Sequence, residues 1–324
     1  MFKNKNVLVT GGCGMVGRAL VSKLLALEAN VTVVDLFKPN DLETQVKYVN
    51  KDLRYFHNCE EICSDQDYVF NIIGIKGSPK MCAEQPADFM VPMLQFNTNM
   101  MEAARKANVD WYLYTSSVGV YSPADIFYED DVWKTFPSQN DKFAGWAKRI
   151  GELQAEAYSV QYNWNKVSIV RPANIFGKFD NFNPLNSMVV PSLIRKAQEN
   201  DILEVWGDGS PIRDFIFSED VADAMLQCVE NKVTEPINLG SGKGFTIKKL
   251  VDVVVKTSGK NDLQVKWLPD KGNGDSIRIM STSKAESYGI KTKTTLEDGI
   301  KVVTDWFRAN KSTIDQRYNV FVNH

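Results

Sequence analysis

Apolar residues in the first half of the chain fall into two alternating rhythms. Short β-branched runs, NVLVTGG (6–12), VTVVDLF (31–37), DYVFNIIG (67–74), WYLYTSSVGVY (111–121) and KVSIVRPANIF (166–176), are apolar almost throughout and read as strands. Between them, GRALVSKLLALEA (17–29), FNTNMMEAARKA (96–107) and WAKRIGELQAEAYSVQY (146–162) carry apolar positions at helical spacing. Strands with no polar face belong to a parallel sheet covered on both sides, so this half predicts a doubly wound α/β domain.

After Phe176 the rhythm shortens. KFDNFNPLNS reads as loop, MVVPSLIRKAQEN as helix and DILEVWGDGSPIRDF as turn-rich chain. EDVADAMLQCVE, IKKLVDVVVKTS and TTLEDGIKVVTDWFRA follow as helices, with PINLGSG a strand and turn among them. The expected division is a Rossmann-type domain over 1–175 and a smaller α+β substrate lobe over 176–324, some segments of which return to the first domain.

Composition then removes whole classes of function. A net charge of −2 over 324 residues gives no electrostatic case for nucleic acid or an anionic membrane surface. No run of about 18 apolar residues occurs, and no leader-like segment precedes the first strand, so the expectation is a soluble cytoplasmic protein. Five scattered cysteines read as reduced thiols; His57-Asn-Cys59-x3-Cys63 has no second cluster to close a tetrahedral site, and no metal is expected. With only His57 and His324 present, a histidine general base is nearly excluded.

The chemistry begins at Gly11-Gly12-Cys13-Gly14-Met15-Val16-Gly17, between the first strand and the first helix. Gly11 permits the tight turn, Gly14 lets a diphosphate approach the backbone, and Gly17 lets the helix pack on the strand; the helix N-terminus then faces the anion. Asp35, about twenty residues on, ends the second strand, where its carboxylate would accept from both adenosine ribose hydroxyls and repel a 2′-phosphate. The alternative, an ordinary strand-end aspartate, is disfavoured by the upstream glycines, and the carboxylate favours NAD over NADP. Asp52 and Leu53, after the third strand, are placed to meet the adenine.

The G-x-x-G-x-x-G spacing, VFNIIG, TSSVGVY, the helix lysine and RPANIFG together resemble the extended short-chain dehydrogenase/reductases that act on nucleotide sugars. WGDGSPIRDFIFSEDVADAM, INLGSG and SIRIMSTSKAESYGI are similar to that family's substrate-lobe signatures, so the resemblance runs through nearly the whole chain. It implies bound NAD, a nucleotide-sugar substrate and a homo-oligomer, dimer or tetramer. In the family a serine four residues before the tyrosine of a V-Y pair polarises the sugar hydroxyl; Ser117-Val-Gly-Val-Tyr121 matches. A Tyr-x-x-x-Lys pair on the next helix takes the hydroxyl proton and holds the nicotinamide ribose. Lys148 matches the lysine, and Ala144 stands where the tyrosine would be.

Alanine cannot accept a proton, and losing a general base costs about 10²- to 10⁴-fold in rate. Three explanations stay open: a substitute proton route through Tyr121, Tyr128 or Lys148, which is favoured; an engineered loss of tyrosine; or a family member that binds without turnover. A second departure concerns the reaction. The family's 4,6-dehydratases carry Asp-Glu directly after the Ser/Thr, and here those positions are Val118 and Gly119. Reductive epimerases of the GDP-fucose synthase type use a cysteine and a histidine near the sugar, and neither is found. What the resemblance leaves is oxidation at C4, with 4-epimerisation or binding alone as alternatives. For the substrate it implies Asn174 near the diphosphate, Arg213 and Arg278 as its clamp, and Lys76 and Trp206 at a site closer to the GDP-sugar branch than the UDP branch.

Overall fold

The computed structural model describes residues 1–75, 77, 79–271 and 274–314. Its first half contains β1 (Asn6–Thr10), α1 (Met15–Ala26), β2 (Asn30–Asp35), β3 (Lys47–Asn50), α2 (Phe56–Cys63), β4 (Tyr68–Asn71), α3 (Pro79–Glu84), α4 (Pro86–Lys106), β5 (Trp111–Thr115), α5 (Lys142–Tyr162), β6 (Val167–Pro172) and β7 (Asn174–Phe176). The second half adds α6 (Val189–Glu199), β8 (Ile202–Trp206), β9 (Ile212–Arg213), β10 (Phe215–Phe217), α7 (Ser218–Glu230), β11 (Ile237–Leu239), β12 (Phe245–Thr246), α8 (Ile247–Ser258), β13 (Gln264–Leu268), β14 (Ile277–Arg278), α9 (Ser283–Ser287) and α10 (Leu296–Asn310).

Seven strands form one parallel sheet in the order β11-β6-β5-β4-β1-β2-β3. The order reverses between β1 and β4, which is where a doubly wound sheet opens a crevice at the carboxyl ends of its strands. β1 illustrates why both faces are apolar. Val7 and Val9 pack with Leu20 and Leu24 of α1 and Val221 and Met225 of α7, whereas Leu8 packs with Met93 and Met100 of α4 and Ala147 of α5.

A third core, with Phe176, Leu193, Leu250, Val254 and Phe307, holds the smaller lobe together. The two parts are interleaved rather than strung in series: α7 covers the first sheet beside α1, and β11 is that sheet's edge strand. Among the described residues no helix is long and apolar enough to cross a membrane.

Several boundaries differ from the sequence expectation. α4 begins at Pro86, ahead of its recognisable apolar stripe, with Pro at the helix start and Pro92 inside it. β5 stops at Thr115, and Val118–Val120 is a 3-10 turn capped by Ser117. The run read as one strand at 166–176 divides, because Ala173 N–H donates to Leu239 and Asn174 N–H to Asp214, so the chain changes partner from β11 to β10. The turn-rich stretch 201–215 contains β8, which pairs with β13, and β9, which pairs with β12 and β14.

Candidate functional site

The first group of residues collects at the carboxyl end of β1 and β2. Gly11 has φ +67, a left-handed conformation that glycine adopts without strain. A Cβ on Gly17 would lie 2.4 Å from the Gly11 carbonyl oxygen, so α1 can sit down on the turn only with glycine there. Gly14 caps α1 without a side-chain hydrogen bond, and no acidic residue occupies the first turn. Its leading N–H groups are therefore left to an anion. Met15 is buried, and Val16 packs partly against the core.

Asp35 stands across this turn: its Oδ2 accepts from Cys13 N–H at 3.1 Å and its Oδ1 from Leu36 N–H at 2.8 Å. Asp52 is gripped by Arg54, whose Nε lies 2.9 Å and Nη2 2.6 Å from Oδ2. Burial works to raise the Asp52 pKa, and the Arg54 contacts outweigh it, holding the carboxyl below its ordinary range. Leu53 is in the core, and buried Cys59 donates to its carbonyl. Buried Cys63 lies in the same core and His57 is exposed, an arrangement of packing thiols on α2. The glycine turn, the uncapped helix start and the carboxylate at the end of β2 fit an adenine dinucleotide with a free 2′-hydroxyl.

The second group lies at the carboxyl end of β5. Ser117 Oγ accepts from Gly119 N–H at 3.0 Å. Lys148, 7% exposed, donates from Nζ to the Thr115 carbonyl at 2.7 Å, two residues from Ser117. Burial pulls the Lys148 pKa down to about 8 against the pull of Glu152 one turn further along α5.

Two glycines let α5 come so close. A Cβ on Gly145 would meet the Gly119 carbonyl oxygen at 2.3 Å, and one on Gly151 would meet the Tyr114 hydroxyl oxygen at 2.3 Å. That hydroxyl donates to the Lys148 carbonyl at 3.1 Å, pinning the helix over the strand. Ala144 is half-buried and packs against the same apolar cluster as Ile75, Met81 and Cys82.

Tyr121, one of the expected substitute proton routes, is held within a buried network. Its ring is buried and stacked on Phe127 at 4.7 Å, and its hydroxyl donates to Asn238 Oδ1 at 2.6 Å while accepting from Arg171 Nη1 at 3.0 Å. Burial pushes its pKa up. It belongs to the buried network in which Arg171 binds Glu152 at 2.6 Å and Ser116 donates to Glu152 at 2.5 Å. Tyr128 is half exposed.

The third group is on the substrate side. β14 runs parallel to β9 in a register that pairs Arg278 with Arg213, so two guanidiniums sit side by side. Burial pulls the Arg213 pKa down to about 10, with Arg278 adding like-charge repulsion. Arg278 Nη2 lies 2.6 Å from Asp141 Oδ2, and its Nε donates to Asp275 Oδ2 at 2.9 Å. Burial opposes the Arg278 charge, but these carboxylates outweigh it and hold its pKa above the ordinary value.

Asp275 is held from the other side by Ser138 at 2.9 Å and Asn140 at 2.6 Å, a contact across from the first domain to the lobe. Asn174 donates to the Asp214 carbonyl at 2.9 Å and so helps hold β7 to β10. Trp206 is exposed at the end of β8. Lys76 and His324 lie outside the described residues.

The sequence reading missed Asp141 and Asp275. For Asp141 the signal was present: positions 141, 144 and 148 are spaced by three and four, which aligns them on one helical face.

Against known proteins, a model of the NAD dependent epimerase/dehydratase family matches residues 7–240. The chain is 30% identical over 317 residues to GDP-L-fucose synthase 1 of Arabidopsis thaliana, covering 95% of this chain and 94% of that protein. It is 31% identical over 319 residues to GDP-L-fucose synthase of Sinorhizobium fredii, covering 96% and 98%. Among solved structures, UDP-glucose 4-epimerase of Thermotoga maritima with UDP-glucose aligns with a TM-score of 0.84 at 24% identity over 94% of this chain and 99% of that one. At that identity the likeness is one of fold.

Proposed function

The chain belongs to the NAD dependent epimerase/dehydratase family, and on that premise we propose that it oxidises C4 of a nucleotide-activated sugar, a GDP-linked hexose or heptose, to the 4-keto sugar used in surface polysaccharide precursors. The observation that carries the reading is the delivery of the Lys148 amine to the Thr115 carbonyl, two residues from Ser117, with alanine at 144 and neither a carboxylate nor a thiol on positions 118 and 119. Relatives named GDP-L-fucose synthase along almost the whole chain support the GDP preference.

NAD, when bound, supplies the acceptor for the C4 hydrogen and its electron pair. Asp35 holds the adenosine ribose and disfavours a 2′-phosphate. Lys148 holds the nicotinamide ribose and keeps positive charge beside the reacting oxygen. Ser117 Oγ orients the sugar hydroxyl, and Arg213 and Arg278 take the diphosphate in their paired forks. The same relatives favour a second reading, reduction of a 4-keto GDP-sugar with epimerisation, against which stand Val118 and Gly119.

Incubation with NAD and a panel of GDP- and UDP-sugars, read by mass spectrometry, tests the proposal. The expected product has lost two hydrogens and no water. A 4-keto-6-deoxy product would refute it, since dehydration needs both an acid for the C6 hydroxyl and a base for the C5 proton. Epimerised product without a keto intermediate would also refute it.

A further inference from the structure

We propose that Asp141 accepts the sugar-hydroxyl proton in place of the absent tyrosine, and that it becomes available to do so when a substrate diphosphate draws Arg278 away from it. This rests on the C4-oxidation reading above.

Asp141 is the residue before α5, three positions ahead of Ala144 and seven ahead of Lys148, so the three lie along one line of the helix. The carboxylate reaches the reacting end of β5. Asp141 Cγ and Ser117 Oγ each lie 3.4 Å from the point that a Cβ on Gly119 would occupy. Glycine at 119 leaves that point open between the carboxyl group and the serine. Alanine at 144 leaves the helix face between Asp141 and Lys148 clear of a phenol.

Asp141 Oδ2 is buried and paired with Arg278 Nη2 at 2.6 Å, a contact that a substrate hydroxyl can replace once Arg278 is drawn away.

Four other groups bear on Asp141: Arg278 from β14, Arg213 beside it on β9, Asp275 just before β14, and the Cys82 thiol on α3, which burial and then Asp141 push up to about 11. Two guanidiniums thus face two carboxylates. A diphosphate arriving at the guanidiniums brings further negative charge and competes with Asp141 for Arg278. Losing a cation and gaining an anion nearby both favour the protonated carboxyl group. Asp141 is thereby released from its ion pair when substrate is present. In the step itself, the O–H bond and the C4–H bond break as C=O forms: the C4 hydrogen leaves with its electron pair for the oxidised cofactor, and the hydroxyl proton ends on Asp141, which returns it to solvent.

Two measurements on the full-length protein test this. The first uses GDP-mannose, a diphosphate diester that does not itself titrate in this range, as the binding probe. Calorimetry at about pH 5.5, in buffers of different ionisation enthalpy, reads proton uptake on binding. Wild type should take up part of a proton, and Asp141→Asn should take up none while keeping affinity within about threefold. Equal uptake by both proteins overturns the proposal.

The second is single-turnover oxidation of the GDP-sugar that the product screen identifies. Asp141→Asn should lose about 10²- to 10⁴-fold, Asp141→Glu should keep part of the rate, and Asp141→Asn combined with Ala144→Tyr should recover it. An Asp141→Asn rate within threefold of wild type overturns the proposal. If wild type oxidises no sugar nucleotide, the function reading falls, and the uptake comparison still decides whether a diphosphate frees Asp141.

Discussion

Single side chains carry the sharpest expectations. Removing the Asp35 carboxylate with Asp35→Ala should relax a strong preference for NAD over NADP in calorimetric titrations, because the group that would repel a 2′-phosphate is gone. Lys148 offers a stability test in cofactor-free protein. Its folded pKa, near 8, lies below the ordinary lysine value of 10.5, so between those pH values the unfolded chain binds the extra proton and this residue's contribution rises with pH. Below pH 8 the cost of the buried charge is fully present. Buried tyrosines and thiols with raised pKa values, such as Tyr121 and Cys59, work in the opposite direction, so the difference from Lys148→Met is what isolates the lysine. Denaturant unfolding should show Lys148→Met stabilised relative to wild type at pH 7, by up to about 3 kcal/mol, with the advantage shrinking as pH rises through 8 to 10. A constant difference would place the titration elsewhere. Ala144→Tyr restores a phenol one turn before Lys148, and faster single-turnover oxidation is expected; unchanged or slower transfer with binding intact would mean the pocket has been rebuilt around alanine.

Helix α5 shows what the sequence disclosed about elements and what it withheld. Its apolar spacing and its lysine were legible, because periodicity and a reactive residue type are local properties. The reason for Gly145 and Gly151 was not, since each is fixed by a contact distant in sequence, the Gly119 carbonyl and the Tyr114 hydroxyl. Gly151→Ala should therefore destabilise the protein by about 1–3 kcal/mol despite alanine's better helix propensity, because overpacking outweighs the gain. The ring carbon Cζ would lie 2.4 Å from the added Cβ, so the loss in denaturant midpoint should persist in a Tyr114→Phe background and shrink in a Tyr114→Ala background. Equal losses in all three backgrounds would show that the Tyr114 ring is not the obstacle. Asp141 escaped notice for a related reason: its place on the helix line was readable, but its approach to Ser117 depends on Gly119 and on Arg278 coming from another strand. Tyr121 was read as a candidate to replace the missing phenol, and only the fold reveals that Arg171 and Asn238 already hold its hydroxyl.

For the molecule as a whole, the alternation of apolar strands and amphipathic helices was enough to specify a doubly wound sheet, and the glycine turn was enough to point to a nicotinamide dinucleotide as its cofactor. The smaller lobe was less legible because its strands are short and pair across long separations, as when β9 joins β14 to bring Arg213 beside Arg278. That pairing is what brings the two arginines against the carboxyl end of β5, through Asp141 and through Ser138 and Asn140 on Asp275. The central claim, that this site oxidises C4 of a nucleotide sugar without a tyrosine, is tested most directly with a GDP-sugar deuterated at C4, mixed with the protein and NAD in a single turnover. The account predicts a 4-keto product that has lost the label, with deuterium recovered on the cofactor; label retained at C4 of a product altered elsewhere in the sugar would contradict it.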